Sequence, residues 1–240
     1  MQRKFAKLSL LVIGFVFVFT GLAASANFTL NLRTSSNAGA ATVTGNITAT
    51  ESNLPLATGT IIVDGQHIDI IDGQFVIEDI LAGDHQASID GPYRKQKNTI
   101  LRVKPGDNEI HIAVNTSVPQ AEIDMLARIT RAEAEGESRQ GQVAVAATVL
   151  NRVLSDRYPA GIREVVYQVD SGRYQYSPVR DGRINLQPRA SDYIAAHKAL
   201  AGHDPSLGAT GFFNPAKTRD RWVRSQPVTT VIGGHRFFSY

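Results

Sequence analysis

At Ser117-Val118-Pro119 the apolar rhythm of the chain changes from every second residue to every third or fourth, and no single regular element accommodates both. Upstream, short apolar runs follow one another: GTIIV (59–63), HIDII (67–71), QFVIEDI (74–80), HQASI (85–89), TILRV (99–103) and EIHIAV (109–114). Between them stand Asp64-Gly65, Asp72-Gly73, Asp90-Gly91 and Pro105-Gly106-Asp107, turn residues that tolerate positive φ. This half is predicted to form six or seven strands in a small β-sandwich. Downstream, Ile123, Leu126, Ala127 and Thr130 share one helix face, with Gly136 as a stop. A second helix is predicted from Gln142 to Leu154, apolar almost all round from Val143 to Leu150 and therefore buried. A third spans Ser191–Leu200, and VTTVI (228–232) is a short strand among long Gly- and Pro-rich loops.

The first residues carry a different signal. Arg3, Lys4 and Lys7 precede an apolar run from Leu8 and the small triplet Ala24-Ser25-Ala26, the layout of a secretory signal peptide over 1–26, cleaved after Ala26. The run is also long enough for an uncleaved anchor. With cleavage, no membrane span is expected in the mature chain, and the lack of a following cysteine argues against a lipid anchor. Residues 27–42 are small and polar and read as a linker.

Those three leader cations account for the whole formal net charge of +3, so total charge says nothing about partners. Its distribution does: residues 38–117 hold 5 basic and 10 acidic side chains, 118–240 hold 16 and 12. Two modules of different character are implied, 43–116 and 119–240. With no cysteine in an exported chain, disulfide scaffolds and thiol catalysis drop out, and apolar cores must hold each module.

The first module resembles the carboxypeptidase-regulatory-like (prealbumin-like) β-sandwich through Val43-Thr44-Gly45, Pro55-Leu56, Asp72-Gly73-Gln74-Phe75 and Ile80-Leu81-Ala82-Gly83-Asp84-His85. Modules of that kind act as spacers or adhesion units, so no chemistry is assigned to it. His67, His85 and His111 lie on separate strands without ligand spacing, and no metal site is expected from them.

Chemistry is sought in ITRAEAEGESRQGQ (129–142), with glutamates at 133, 135 and 137. At ~100° per residue Glu133 lies about 20° from Leu126 and about 40° from Ile129, on the apolar face, whereas Glu135 points about 200° away. Glu137 falls beyond the helix. A carboxyl on a buried stripe in a helix's last turn is raised in pKa by desolvation and by the negative end of the helix dipole, which suits a general acid near neutral pH. A second reading stands beside that one: a structural glutamate satisfied by Arg152 or by backbone donors.

The stretch 125–153 is similar to the opening of the SleB/CwlJ-type cell wall hydrolases, the spore cortex-lytic enzymes and their relatives. The shared elements are Ala127-Arg128, Glu133-Ala134-Glu135-Gly136-Glu137, Gly141-Gln142-Val143-Ala144-Val145-Ala146 and Asn151-Arg152-Val153. Further blocks follow in order to the C-terminus: Gln175-Tyr176-Ser177, Asp181-Gly182, Phe212-Phe213-Asn214-Pro215, Trp222 and Ile232-Gly233-Gly234-His235-Arg236-Phe237. The resemblance implies a lysozyme-like, resuscitation-factor-like catalytic domain in which Glu133 is the catalytic acid. Glu135 departs from the pattern, where arginine is usual.

The fold expected for the whole is thus a multidomain one: a small all-β sandwich followed by a mainly α (α+β) catalytic domain. The expected substrate is the peptidoglycan glycan strand. Two-carboxylate glycosidases need a partner acid ~5–9.5 Å across the bond, and neither Glu137 nor Asp181 is an obvious one. A lytic transglycosylase needs only one glutamate, since the muramic acid's own C6 hydroxyl attacks. Substrate contacts are expected from Gln175, Tyr176, Ser177, Phe213, Asn214, Trp222 and His235, which supply aromatic faces and polar groups. For Phe213 and Trp222 core packing is an equal alternative, and for His235 a structural role. No cofactor is expected. A hydrolytic muramidase, a zinc amidase and a non-catalytic peptidoglycan-binding or adhesion protein are the rivals, although His197, His203 and His235 lack amidase-like spacing. Nucleic acid is not an expected partner: no aromatic-basic motif is present.

Overall fold

The computed structural model describes residues 39–240. The signal-peptide reading, and the linker reading as far as residue 38, lie outside the described residues. Strand β1 (Ala40–Ala49) begins inside the stretch read as linker. It is followed by β2 (Thr58–Val63), β3 (Gln66–Ile71), β4 (Gln74–Leu81), β5 (Gly83–Asp90), β6 (Lys97–Val103) and β7 (Gly106–Val114). Asp64-Gly65 and Asp72-Gly73 form two-residue hairpin turns with all four φ angles between 48° and 86°, the mirror-image geometry that matches strand twist.

The expected sandwich is corrected here. All seven strands belong to one mixed sheet, ordered β6-β5-β2-β3-β4-β1-β7, with β1 antiparallel to β4 and parallel to β7. The sheet curls nearly into a barrel, because its two outer strands meet: Lys95 N donates to Asn115 O at 2.9 Å and Lys97 Nζ to Ala113 O at 2.7 Å. Alternate residues of every strand then face one shared core, including Val43, Ile47, Ile61, Ile70, Phe75, Ile89, Leu101 and Val114. Gly45 has no side chain because a Cβ there would meet the Phe75 ring.

The remainder begins with α1 (Gln120–Ala134) and α2 (Arg139–Val153), continues through α3 (Ile162–Val166), β8 (Val169–Asp170), β9 (Arg173–Tyr174), α4 (Ser177–Asp181) and a 3-10 turn (Arg183–Asn185) to α5 (Ala190–Leu200). It ends in β10 (Gly211–Phe213), α6 (Arg221–Ser225), β11 (Val228–Ile232) and β12 (His235–Phe238), the three strands making an antiparallel sheet in the order β10-β12-β11. α2 is buried nearly all round and is capped by Ser138 Oγ, which accepts from Gly141 N. α1, α2 and α5 enclose Ile123, Leu126, Ile129, Val149, Leu150, Ala196 and Leu200. The expectation of a mainly α domain is also corrected. α3, α4 and α6 are single turns of five residues, and strands and loops make up much of the rest, because outside α5 Gly, Pro and aromatic residues interrupt the apolar periods after Leu154.

The described residues form one compact unit. Tyr93 Oη donates to Leu150 O at 2.5 Å, Arg94 Nη2 to Leu200 O at 2.8 Å and Ala57 N to Ala201 O at 2.8 Å. Ala201 itself is part of the sheet's core. Arg94 is buried and forms a second bond to Glu51, so the loop after β5 ties the sheet to the C-terminal ends of α2 and α5.

Candidate active site

Helix phase puts Glu133 on the side of Leu126 and Ile129, both fully buried, in the last turn of α1. Its carboxyl opens into a cleft of about 280 Å³. Arg152 from α2, Gln175 to Ser177 at the start of α4, Phe212 from β10, Trp222 from α6 and Tyr240 complete the walls. Burial drives the Glu133 pKa up to about 7, against the pull of Arg183 and Lys217 and with help from Asp181. Among the described residues no other Asp or Glu side chain lines this cleft. Arg183 is committed elsewhere, donating to Ala132 O at 2.7 Å and to Asp181 at 2.9 Å.

The structural reading of Glu133 as the partner of Arg152 is not what the geometry shows. Arg152 Nε donates to Thr210 O at 2.5 Å, and its guanidinium lies over the rings of Tyr158 and Tyr176 at 5.0 and 5.1 Å. Glu135 pairs with Arg189 at the surface, and neither residue lines the cleft.

The residues expected to bind substrate divide into two groups. Gln175, Tyr176, Ser177 and Trp222 share the cleft with Glu133. Tyr176 is buried in the wall, while Trp222 is 53% exposed on the rim and packs edge-on against Tyr240 at 5.1 Å. Phe213 does not reach the cleft: it is buried against Phe238, with ring centroids 6.0 Å apart, and Phe212 takes the lining position. Neighbours in a strand face opposite ways, so only the pairing of β10 with β12 decides which phenylalanine lines the cleft. Asn214 and His235 belong to a separate cluster around Glu137. There Glu137 Oε2 accepts from Gly234 N at 3.1 Å, and His235 Nδ1 lies 3.4 Å from Oε1. His235 is buried edge-on to Phe212, and burial lowers its pKa against the opposing pull of Glu137.

Sequence reasoning named Phe212 only within a motif block and passed over Arg183, Lys217 and Tyr240. Arg183 lies in the 3-10 turn and the other two outside any helix or strand, so no periodicity marks them. A wider depression of about 700 Å³ on the sheet includes Asp64, but that carboxylate is already taken by His85 at 2.6 Å and Gln86 N at 3.0 Å. Among the described residues no three His, Cys, Asp or Glu side chains gather as a cation site.

Comparison with known proteins bears on the same region. The family described as Cell Wall Hydrolase matches residues 136–238, starting three positions after Glu133. The spore cortex-lytic enzyme of Halalkalibacterium halodurans is 37% identical over 135 residues, 55% of this chain and 40% of that protein. The cell wall hydrolase CwlJ of Oceanobacillus iheyensis is 31% identical over 102 residues, 40% of this chain and 70% of that protein. The chain spans about half or less of the curated spore cortex-lytic enzymes it matches. Among solved structures, the catalytic domain of the germination-specific lytic transglycosylase SleB from Bacillus anthracis is 34% identical, covering 51% of this chain and 98% of that one with a TM-score of 0.47.

Proposed function

The chain belongs to the cell wall hydrolase family, and from that premise we propose that it degrades peptidoglycan outside the cytoplasm, cutting the MurNAc–GlcNAc β-1,4 bond as a lytic transglycosylase. The observation that carries this reading is the buried carboxyl of Glu133, its pKa raised to about 7, in a cleft lined by no second Asp or Glu side chain among the described residues. Protonated Glu133 gives its proton to the glycosidic oxygen as the C1–O bond breaks and the bonding pair leaves with the GlcNAc O4. The muramic C6 hydroxyl then forms a bond to C1 and returns its proton to the Glu133 carboxylate. The product is a 1,6-anhydro end, and the enzyme regains its acid without water entering the balance. A pKa matched to neutral pH serves both halves of this cycle.

Gln175, Ser177 and Trp222 flank the acid and present an amide, a hydroxyl and an indole face to sugar rings. The export signal read at residues 1–26 agrees with an extracellular substrate. No helix among the described residues is long and apolar enough to cross a membrane. Mass spectrometry of digested sacculi tests the bond and the chemistry together. Anhydromuramyl ends are expected; reducible hydrated muramic ends would replace this mechanism with a muramidase, and released peptides with intact strands would replace it with an amidase.

A further inference from the structure

The cleft contains a cation, Arg152, that forms no ion pair with any carboxylate among the described residues. Arg152 is only 6% exposed. One of its three nitrogens, Nε, is satisfied by Thr210 O, while Nη1 is buried without a partner. The hydroxyls of Tyr158 and Tyr176 are also buried without a hydrogen bond of good geometry, with Tyr240 and Thr148 as their neighbouring hydroxyls. A desolvated charge with open donors is costly unless something completes it. The two rings meanwhile fix the guanidinium, so its fork is oriented in advance for a planar acceptor.

Resting on the glycan-cleaving reading above, we propose that Arg152, with Tyr158 and Tyr176, is a subsite for a carboxylate carried by the muramic acid side of the strand. Strands supply such a group in two ways: the lactyl carboxyl of a muramic residue stripped of its peptide, or an acidic residue of an attached peptide. Both would place a carboxylate where the cleft wall offers N–H and O–H donors, and a carbohydrate without carboxylates would leave those donors empty. The subsite therefore makes the cleft selective for muramic-acid strands over plain N-acetylglucosamine polymers of the same backbone linkage.

Binding is measured by calorimetry on the Glu133→Gln protein, which removes turnover. Three ligands of matched length are compared: peptide-free glycan strands, peptide-bearing strands and a chito-oligosaccharide. A preference of at least tenfold for one or both muramic ligands over the chito-oligosaccharide is expected, and which of the two is preferred identifies the source of the carboxylate. Adding Arg152→Lys should remove most of that preference while chito-oligosaccharide affinity changes less than twofold. Tyr158→Phe, which keeps the ring and the stacking, should reduce the preference several-fold with an unchanged melting temperature. Equal affinity for all three ligands, or equal losses for all three in both variants, would overturn the subsite and leave the glycan-cleaving reading standing. Failure of the Glu133→Gln protein to bind any of them would overturn both.

Discussion

The Glu137 carboxylate accepts the Gly234 N–H at 3.1 Å, fastening the β11–β12 hairpin to the turn that follows α1, four residues beyond Glu133. A Cβ on Gly233, with φ at +56°, would run into the same carboxylate. The two adjacent glycines let backbone and acid approach this closely.

Gly233→Ala is therefore expected to destabilise the protein by about 1–3 kcal/mol, from left-handed backbone strain plus the clash. Urea denaturation checks it. Combining it with Glu137→Ala should recover the steric part, so strictly additive losses would refute the clash.

Glu133→Gln should reduce the rate of strand cleavage about 10²–10⁴-fold, the usual worth of a general acid. In the unmutated enzyme, the rate should fall as pH rises through about 7, where Glu133 loses its proton. Cleavage kinetics from pH 5 to 9 would show this limb, and a rate flat across that range would remove Glu133 as the acid.

The same raised pKa has a stability consequence of definite sign. The folded protein holds the Glu133 proton between about 4.5 and about 7, where the unfolded chain releases it, so stability falls as pH rises across that window. Glu133→Gln should then be more stable than the parent by about 1–3 kcal/mol at pH 8 and nearly equal to it at pH 4. Melting curves at the two pH values decide this, and a gain that is the same at both would contradict it.

Trp222 and Phe213 should respond oppositely to truncation. Trp222→Ala, at the exposed rim, should raise KM about 5–30-fold with little change in melting temperature, the loss of a stacking face worth ~1–2 kcal/mol. Phe213→Ala, buried against Phe238, should cost about 3–5 kcal/mol of stability. Steady-state kinetics beside thermal melts separates the two.

Removing Arg94 tests the joint between sheet and helices. Arg94→Ala leaves Glu51 and Leu200 O without their buried donor and should cost about 3–5 kcal/mol. Tyr93→Phe, losing one hydroxyl, should cost about 1 kcal/mol. Calorimetry is expected to show one transition in the parent and two in Arg94→Ala; two transitions already in the parent would mean that the joint does not couple the halves.

What the sequence disclosed and what it withheld follow from range. Asp64-Gly65 and Asp72-Gly73 were legible as hairpin turns because the requirement for positive φ is local to two residues. The orientation of Glu133 relative to Leu126 was legible because helical phase over seven residues is nearly rigid. The parallel pairing of β1 with β7, which replaced a sandwich by a nearly closed sheet, joins residues more than 60 positions apart and leaves no local pattern. The Arg152 bond to Thr210 and the exchange of Phe213 for Phe212 at the cleft likewise depend on how distant segments dock. Alternation along β10 could narrow the choice to one phenylalanine but not say which.

The loop bearing Tyr93 and Arg94, together with the Ala57–Ala201 bond, attaches the sheet to the helices beyond the covalent link at residues 115–119. A body held at several points cannot swivel as beads on a string do. On the proposed function, such a protein would reach a glycosidic bond only where a meshwork admits its full girth, so pore size, more than tether length, would govern which bonds it meets.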